Sequence, residues 1–136
     1  RKEFQNISKC YDCGISVVKP RHVSKNILIM DFEGNDGKPE NTLLESKVDK
    51  NDYLQSIALI SDLFKKAKLV HGDFSEYNIF KTKNGLKLFD LGSAVDTTHP
   101  NTMNFLKRDI NNITNFFVKR GLTVENPADI LERIIK

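Results

Sequence analysis

Two carboxylates and an amide stand at spacings that suit phosphate chemistry. Asp73 and Asn78 form D-x-x-x-x-N inside HGDFSEYNIF, and Asp90 closes the apolar run LKLFD twelve residues further on. Phosphoryl transfer needs a divalent metal against the phosphate oxygens and an acceptor for the proton of the attacking hydroxyl. Magnesium takes hard oxygen donors, carboxylates and amide carbonyls among them. One carboxylate for the hydroxyl (Asp73), one amide (Asn78) and one further carboxylate (Asp90) for the metal make a sufficient minimal set. A loop between Asp73 and Asn78 can turn both side chains onto one ligand, and a hairpin directly after it can return Asp90 to their side.

Each piece alone is common in ordinary turns, which are rich in Asp and Asn. Their order and separation distinguish them: His71-Gly72-Asp73, then Asn78, then Asp90-Leu91-Gly92 follow the H-x-D-x-x-x-x-N and D-x-G logic of protein kinases. Gly92 supplies backbone freedom just after the metal ligand. His71 reads better as a support, hydrogen-bonded to the backbone near Asp90, than as a proton carrier, because Asp73 suffices as acceptor. Glu76 reads as a solvated loop carboxylate.

The elements that must position these residues follow from periodicity. Phe4, Ile7 and Tyr11, flanked by Cys10, predict a first helix stopped at Gly14. Ile27 to Met30 predict a short buried strand, and Glu33 to Asn41, with Gly34, Gly37 and Pro39, predict a loop. A helix is expected over 49–66, with Tyr53, Ile57, Ile60, Phe64 and Ala67 on its core face, widened by Leu54, Ala58, Leu59 and Leu63. Strands at 79–81 and 86–90 should pair through Asn84-Gly85. After Pro100 a third helix should bury Met103, Leu106, Ile110, Ile113 and Phe117 and stop at Gly121. Asn126-Pro127 should open a last helix with Ile130, Leu131, Ile134 and Ile135 inside. This order of elements predicts an α+β fold.

Bulk properties narrow the setting. The chain has 136 residues, 39% hydrophobic and 29% charged, with a net charge of +3, which suits one compact core. Its lysines are scattered, without the arginine-rich run of a strong nucleic-acid footprint. No apolar run nears the ~18 residues of a membrane span. Cys10 and Cys13 form a lone C-x-x-C with no second ligand pair, so they read as structural thiols in a reduced, cytoplasmic compartment. The chain opens at Arg1 without an initiating methionine and is expected to be a piece of something longer.

With these residues in view, the sequence resembles the RIO family of atypical serine protein kinases, its archaeal members above all. The resemblance is carried by LVHGDFSEYNIF, KLFDLGSAV, the following THP and FLKRDINNITNFF, and it extends over essentially the whole chain. It implies a protein-kinase-like fold, with residues 1–33 as the remnant of the N-terminal lobe and 34–136 as the C-terminal lobe. It implies Asp73 as the catalytic aspartate, with Asn78 and Asp90 as ligands of magnesium or manganese. It also implies Met30 beside the adenine of ATP and Asp31 to Glu33 as the hinge that binds it. By the same resemblance, Glu3 is the helix glutamate that pairs with a nucleotide-binding lysine, and Asp109 anchors the catalytic loop from the third helix. The plainer alternative for Asp109 is a surface salt bridge. The implied partners are ATP, a protein substrate and the maturing small ribosomal subunit.

The sequence also departs from a complete kinase. No glycine-rich phosphate loop and no strand lysine precede Glu3, so residues 1–136 alone are expected to show little or no kinase activity. Compared with ordinary kinases, HGD replaces HRD and no A-P-E follows Asp90. Two other functions compete: a nucleotide-responsive ribosome-assembly ATPase acting by conformational switching, and a small-molecule kinase of the aminoglycoside or choline kind. Ser75-Glu76 and Arg108-Asp109 argue against the last.

Overall fold

The computed structural model describes residues 2–24, 27–30, 34–35, 38–39 and 41–136, with side chains described for 2–20 and 41–136. Asp31 and Glu33 lie outside the described residues, and only the backbone of Met30 falls within them.

Helix α1 (Lys2–Asp12) turns Ile7 and Cys10 into the core. It stops where expected: Gly14 takes φ +79°, and Ile15 N–H returns to the Cys10 carbonyl at 3.0 Å. Tyr11, expected inside, is exposed, because the inward stripe is already filled by Ile7 and Cys10. Strands β1 (Pro20–Ser24) and β2 (Ile27–Met30) pair antiparallel, Pro20 opposite Met30. The stretch read as a loop contains a two-residue ladder of β3 (Gly34–Asn35) with β4 (Lys38–Pro39). Thr42 then leads into a 3-10 turn, Leu43–Glu45.

Helix α2 (Lys50–Lys65) starts at a reciprocal cap. Asp52 N–H donates to the Asp49 carboxylate and Asp49 N–H to the Asp52 carboxylate, both at 3.0 Å. Tyr53, Ile57, Leu59, Ile60 and Leu63 are buried as the periodicity requires. Leu54 is 49% exposed and Ala58 is also exposed, so the buried stripe is narrower than expected. Positions 54 and 58, one turn apart, border an open cleft beside the last helix that no side chain closes over.

Strand β5 (Leu69–Val70) pairs antiparallel with β8 (Val95–Asp96), while β6 (Ile79–Thr82) and β7 (Gly85–Leu88) form the expected hairpin. Its turn lies one residue earlier than predicted. Thr82 faces Gly85 across Lys83-Asn84, and Gly85 begins the return strand at φ +109°. Leu86 N–H donates to the Gln55 side chain at 3.0 Å, clamping the hairpin to α2. On its other side, Val18 N–H donates to the Leu88 carbonyl at 2.9 Å, so the segment after α1 extends the hairpin.

Helix α3 (Thr102–Lys119) buries Leu106, Ile110, Ile113 and Phe117 as expected, and also Asp109, Thr114 and Phe116. Met103, expected inside, is 40% exposed, since the core closes over the helix only from Leu106 onward on that row. Helix α4 (Pro127–Ile135) begins at Asn126, whose side chain accepts from Ala128 N–H at 2.9 Å. It buries Ile130 and Ile134, half-buries Leu131 and leaves Ile135 exposed, a correction to the last position of its stripe. Ile7 and Cys10 of α1, the hairpin residues Ile79, Leu86 and Leu88, and the inner faces of α2, α3 and α4 share one hydrophobic cluster. The architecture is α+β, with the loop from His71 to Asn78 and the turn after Asp90 held between α1, the hairpin and α3.

Candidate functional site

The loop starts where β5 ends. His71 is buried, and its imidazole accepts from Asp73 N–H at Nδ1 (3.0 Å) while Nε2–H donates to the Asp90 carbonyl. Those two bonds specify one neutral tautomer, and burial lowers the imidazole pKa below its ordinary value, which favours the same state. The ring thus spans the nineteen residues between the two halves of the site. Its edge-to-face contact with Phe74, centroids 5.8 Å apart, fixes its plane.

The residue after it turns the chain. Gly72 has φ +84°, and a Cβ there would lie 3.2 Å from the Ser93 carbonyl, so both conformation and space favour glycine. Ser93 in turn donates its hydroxyl to the His71 carbonyl at 3.0 Å. The Gly72 carbonyl receives the Arg108 guanidinium, which also lies over the Phe105 ring at 4.9 Å.

Beneath the loop lies Asp109, 1% exposed. Its two carboxylate oxygens accept from Gly72 N–H (2.8 Å) and Phe74 N–H (3.1 Å), the residues on either side of Asp73. Burial pushes its carboxyl above the ordinary range, and the two N–H donors, with His71 and Arg108 nearby, pull the other way. Charge-assisted bonds of this kind are among the stronger ones available to a loop. With both flanking N–H groups drawn inward, Asp73 stands exposed at the crest.

Asn78 ends the 3-10 turn Glu76–Asn78, which Ser75 opens by accepting Tyr77 N–H at 3.3 Å. The Asn78 amide NH2 donates to the Asp73 carbonyl at 2.7 Å, leaving its side-chain oxygen as the lone-pair atom available to a cation. Phe89 N–H donates to the Asn78 carbonyl at 3.1 Å, and the Phe80 and Phe89 rings stack at 4.1 Å, bringing the end of the hairpin to Asn78. Asp90 follows, exposed, one carboxylate oxygen accepting Gly92 N–H at 3.2 Å.

The other side of the Asp90 turn meets α1. Asn6 donates to the Leu91 carbonyl at 3.2 Å, and a Cβ on Gly92 would lie 3.3 Å from Glu3 Oε2. The predicted site residues Glu3, His71, Asp73, Asn78, Asp90 and Asp109 therefore converge. Met30 closes β2, with its side chain outside the described residues, as Asp31 and Glu33 are entirely. Asn6, Gly72, Ser93 and Arg108 belong to the framework but were not predicted as parts of it. Gly72, Ser93 and Arg108 stand in stretches the sequence had marked; Asn6 carried no signal.

The donor set fits a small hard cation. The Asn78 amide oxygen and the Asp90 carboxylate offer two oxygen ligands, few enough for magnesium to retain water and phosphate oxygens. Among the described residues no cluster of three or more His, Cys, Asp or Glu side chains forms a self-sufficient metal cage. No described helix is long and apolar enough to cross a membrane.

Comparison with known proteins gives the family and the fold. A family model described as RIO domain matches residues 1–130. The chain is 37% identical over 137 residues to "Serine/threonine-protein kinase rio1" of Dictyostelium discoideum, covering 98% of this chain and 24% of that protein. It is 35% identical over 136 residues to "RIO-type serine/threonine-protein kinase Rio1" of Thermoplasma acidophilum, covering all of this chain and 71% of that protein. Among solved structures it resembles the Rio2 kinase–ADP/Mg2+–phosphoaspartate complex from Chaetomium thermophilum. There the TM-score is 0.76 and the identity 26%, over 96% of this chain and 42% of that one. The chain thus spans only about a quarter of the Dictyostelium relative's length.

Proposed function

This chain belongs to the RIO domain family, and on that premise we propose that it carries the catalytic loop of an ATP-dependent serine/threonine protein kinase of the RIO type. The observation that carries the reading is the bracket around Asp73: Asp109 draws in the N–H groups on both sides of it and leaves its own carboxylate exposed. Asp73 then orients the attacking hydroxyl and accepts its proton. Asn78 and Asp90 would hold magnesium, which supplies charge neutralisation at the phosphate oxygens. His71 keeps the two halves in register through its paired bonds to Asp73 N–H and the Asp90 carbonyl.

Following the resemblance, Met30 and the 31–33 segment would border adenine, and Glu3 would pair with a lysine supplied from outside these residues. A division into N-terminal remnant and C-terminal lobe near residue 33, a cytoplasmic location and a role in small-subunit ribosome maturation belong to the same reading. The test is phosphate transfer by the full-length protein. Asp73→Asn should lower kcat by about 10²-fold to 10⁴-fold with ADP affinity retained. Undiminished transfer by Asp73→Asn refutes the assignment. An Asp73→Ala protein that supports growth in place of the wild type points instead to the conformational ATPase.

A further inference from the structure

A cleft of about 520 Å³ opens between the loop and α3. One wall is Asp73, Ser75, Glu76, Tyr77 and Asn78; the other is α3, through Asn112, Asn115, Phe116 and Lys119. Its volume falls in the range of formed binding sites, about 300–1,000 Å³. Polar side chains under the loop are committed: His71, Ser93, Arg108 and Asp109 all bond its backbone. Of those lining the cleft, Ser75 and Asn78 are bonded within the loop, but the others are not. Glu76, Asn112, Asn115 and Lys119 have no hydrogen-bond or ion-pair partner among the described residues.

The spacing on α3 is informative. Positions 112, 115 and 119 follow at steps of three and four, so all three side chains share one face, with Phe116 buried beside them as a floor. Each asparagine amide offers a donor and an acceptor, the pair that a peptide main chain presents in reverse. Lys119 adds a single cation. Asp109 lies under the loop at Asp73, so Asn112 is the nearer end and Lys119 the farther one. From Asn112 to Lys119 the helix rises about 10 Å, the span of about three residues of extended chain.

We propose that this cleft is the acceptor groove: it binds an extended polypeptide with its hydroxyl residue at Asp73 and an acidic side chain about three residues away at Lys119. The proposal rests on the kinase reading and names the substrate class of that site. Asn112 and Asn115 hold the intervening main chain, and Tyr77 forms the rim.

The experiment separates binding from chemistry. Labelled peptides with one serine, and an acidic, neutral or basic residue scanned over four positions on each side, are titrated into the nucleotide-bound full-length protein by fluorescence anisotropy. Transfer from labelled ATP is followed separately. Wild type should favour an acidic residue about three positions from serine, on one side. Lys119→Glu should weaken that peptide by about fivefold to tenfold, as expected for reversing an exposed charge, and should improve the basic counterpart with the unfolding midpoint unchanged. Asn112→Ala/Asn115→Ala should weaken all the peptides together. Equal affinities for acidic and basic peptides in wild type and Lys119→Glu, or no peptide binding at all, overturn the groove. Lys119-dependent binding without phosphate transfer to any peptide upholds the groove and overturns the kinase reading.

Discussion

Asn6 and Leu91, eighty-five residues apart, meet at 3.2 Å: the α1 amide donates to the carbonyl just after Asp90. This bond ties the first helix to the turn after Asp90, the proposed metal ligand, so a shift of α1 would be felt there. A partly buried hydrogen bond is worth about 0.5–1.5 kcal/mol. Asn6→Ala should therefore speed amide exchange at Gly92 and Ser93 several-fold and leave exchange in α3 unchanged. Equal exchange in the two proteins would show that α1 does not brace this turn.

Asp109 is the principal stay beneath the loop. Asp109→Ala leaves two loop N–H groups without their acceptor, and each unsatisfied donor costs about 1–3 kcal/mol. Denaturant unfolding should show a loss of about 2–4 kcal/mol, with Asp109→Asn between it and wild type because one acceptor oxygen remains. A loss under 1 kcal/mol for Asp109→Ala would mean that the carboxylate is not what holds the loop.

Gly72 combines φ +84° with a Ser93 carbonyl 3.2 Å from any added Cβ. An L-residue in this left-handed conformation costs about 1–2 kcal/mol. Gly72→Ala should lower stability by at least that much, and no more disruptive residue is needed for the test. An unchanged unfolding midpoint would contradict the argument.

Lys81 and Asp52 form an ion pair at 2.8 Å, the carboxylate nearly buried and the amine also donating to the Lys47 carbonyl at 2.8 Å. Removing the lysine strands a buried charge, which typically costs about 3–5 kcal/mol; here about 2–3 kcal/mol is expected because the Lys81 side chain is 33% exposed. Lys81→Met should show that loss, and Asp52→Asn/Lys81→Met should recover part of it. Additive losses in the double-mutant cycle would rule out coupling between the two.

Cys10 has its thiol pushed up to about 12, burial being the largest cause and Cys13 the next. Attack requires the thiolate, so native Cys10 should resist alkylation at pH 8 and react only after denaturation. Peptide mass analysis distinguishes it from Cys13. Complete modification of Cys10 in the native protein within minutes would refute the burial argument.

Much of the scaffold was legible because its signals are local. Asn126 caps its helix, Gly14 and Gly121 end theirs, and the hairpin lies where strand patterning put it. Its turn slipped by one residue because Gly85's positive φ serves the first strand residue rather than the turn itself. Burial was less legible at Tyr11, Leu54, Met103 and Ile135. Helical periodicity defines a stripe, but the width of the stripe depends on what packs against it.

By itself, the sequence determined which residues could do phosphate chemistry and that a hairpin would carry Asp90 back toward Asn78, since motif and turn are written in adjacent positions. The resemblance named Asp109 as an anchor of the loop, but which groups it holds, and what the loop faces, only the tertiary structure decided. Asp109 reaches Gly72 and Phe74 from thirty-five or more positions away, Asn6 reaches Leu91 across most of the chain, and Asn112, Asn115 and Lys119 come to line Asp73's cleft. Such contacts arise only when separate elements share one core, and no local pattern of residues encodes the distance between them.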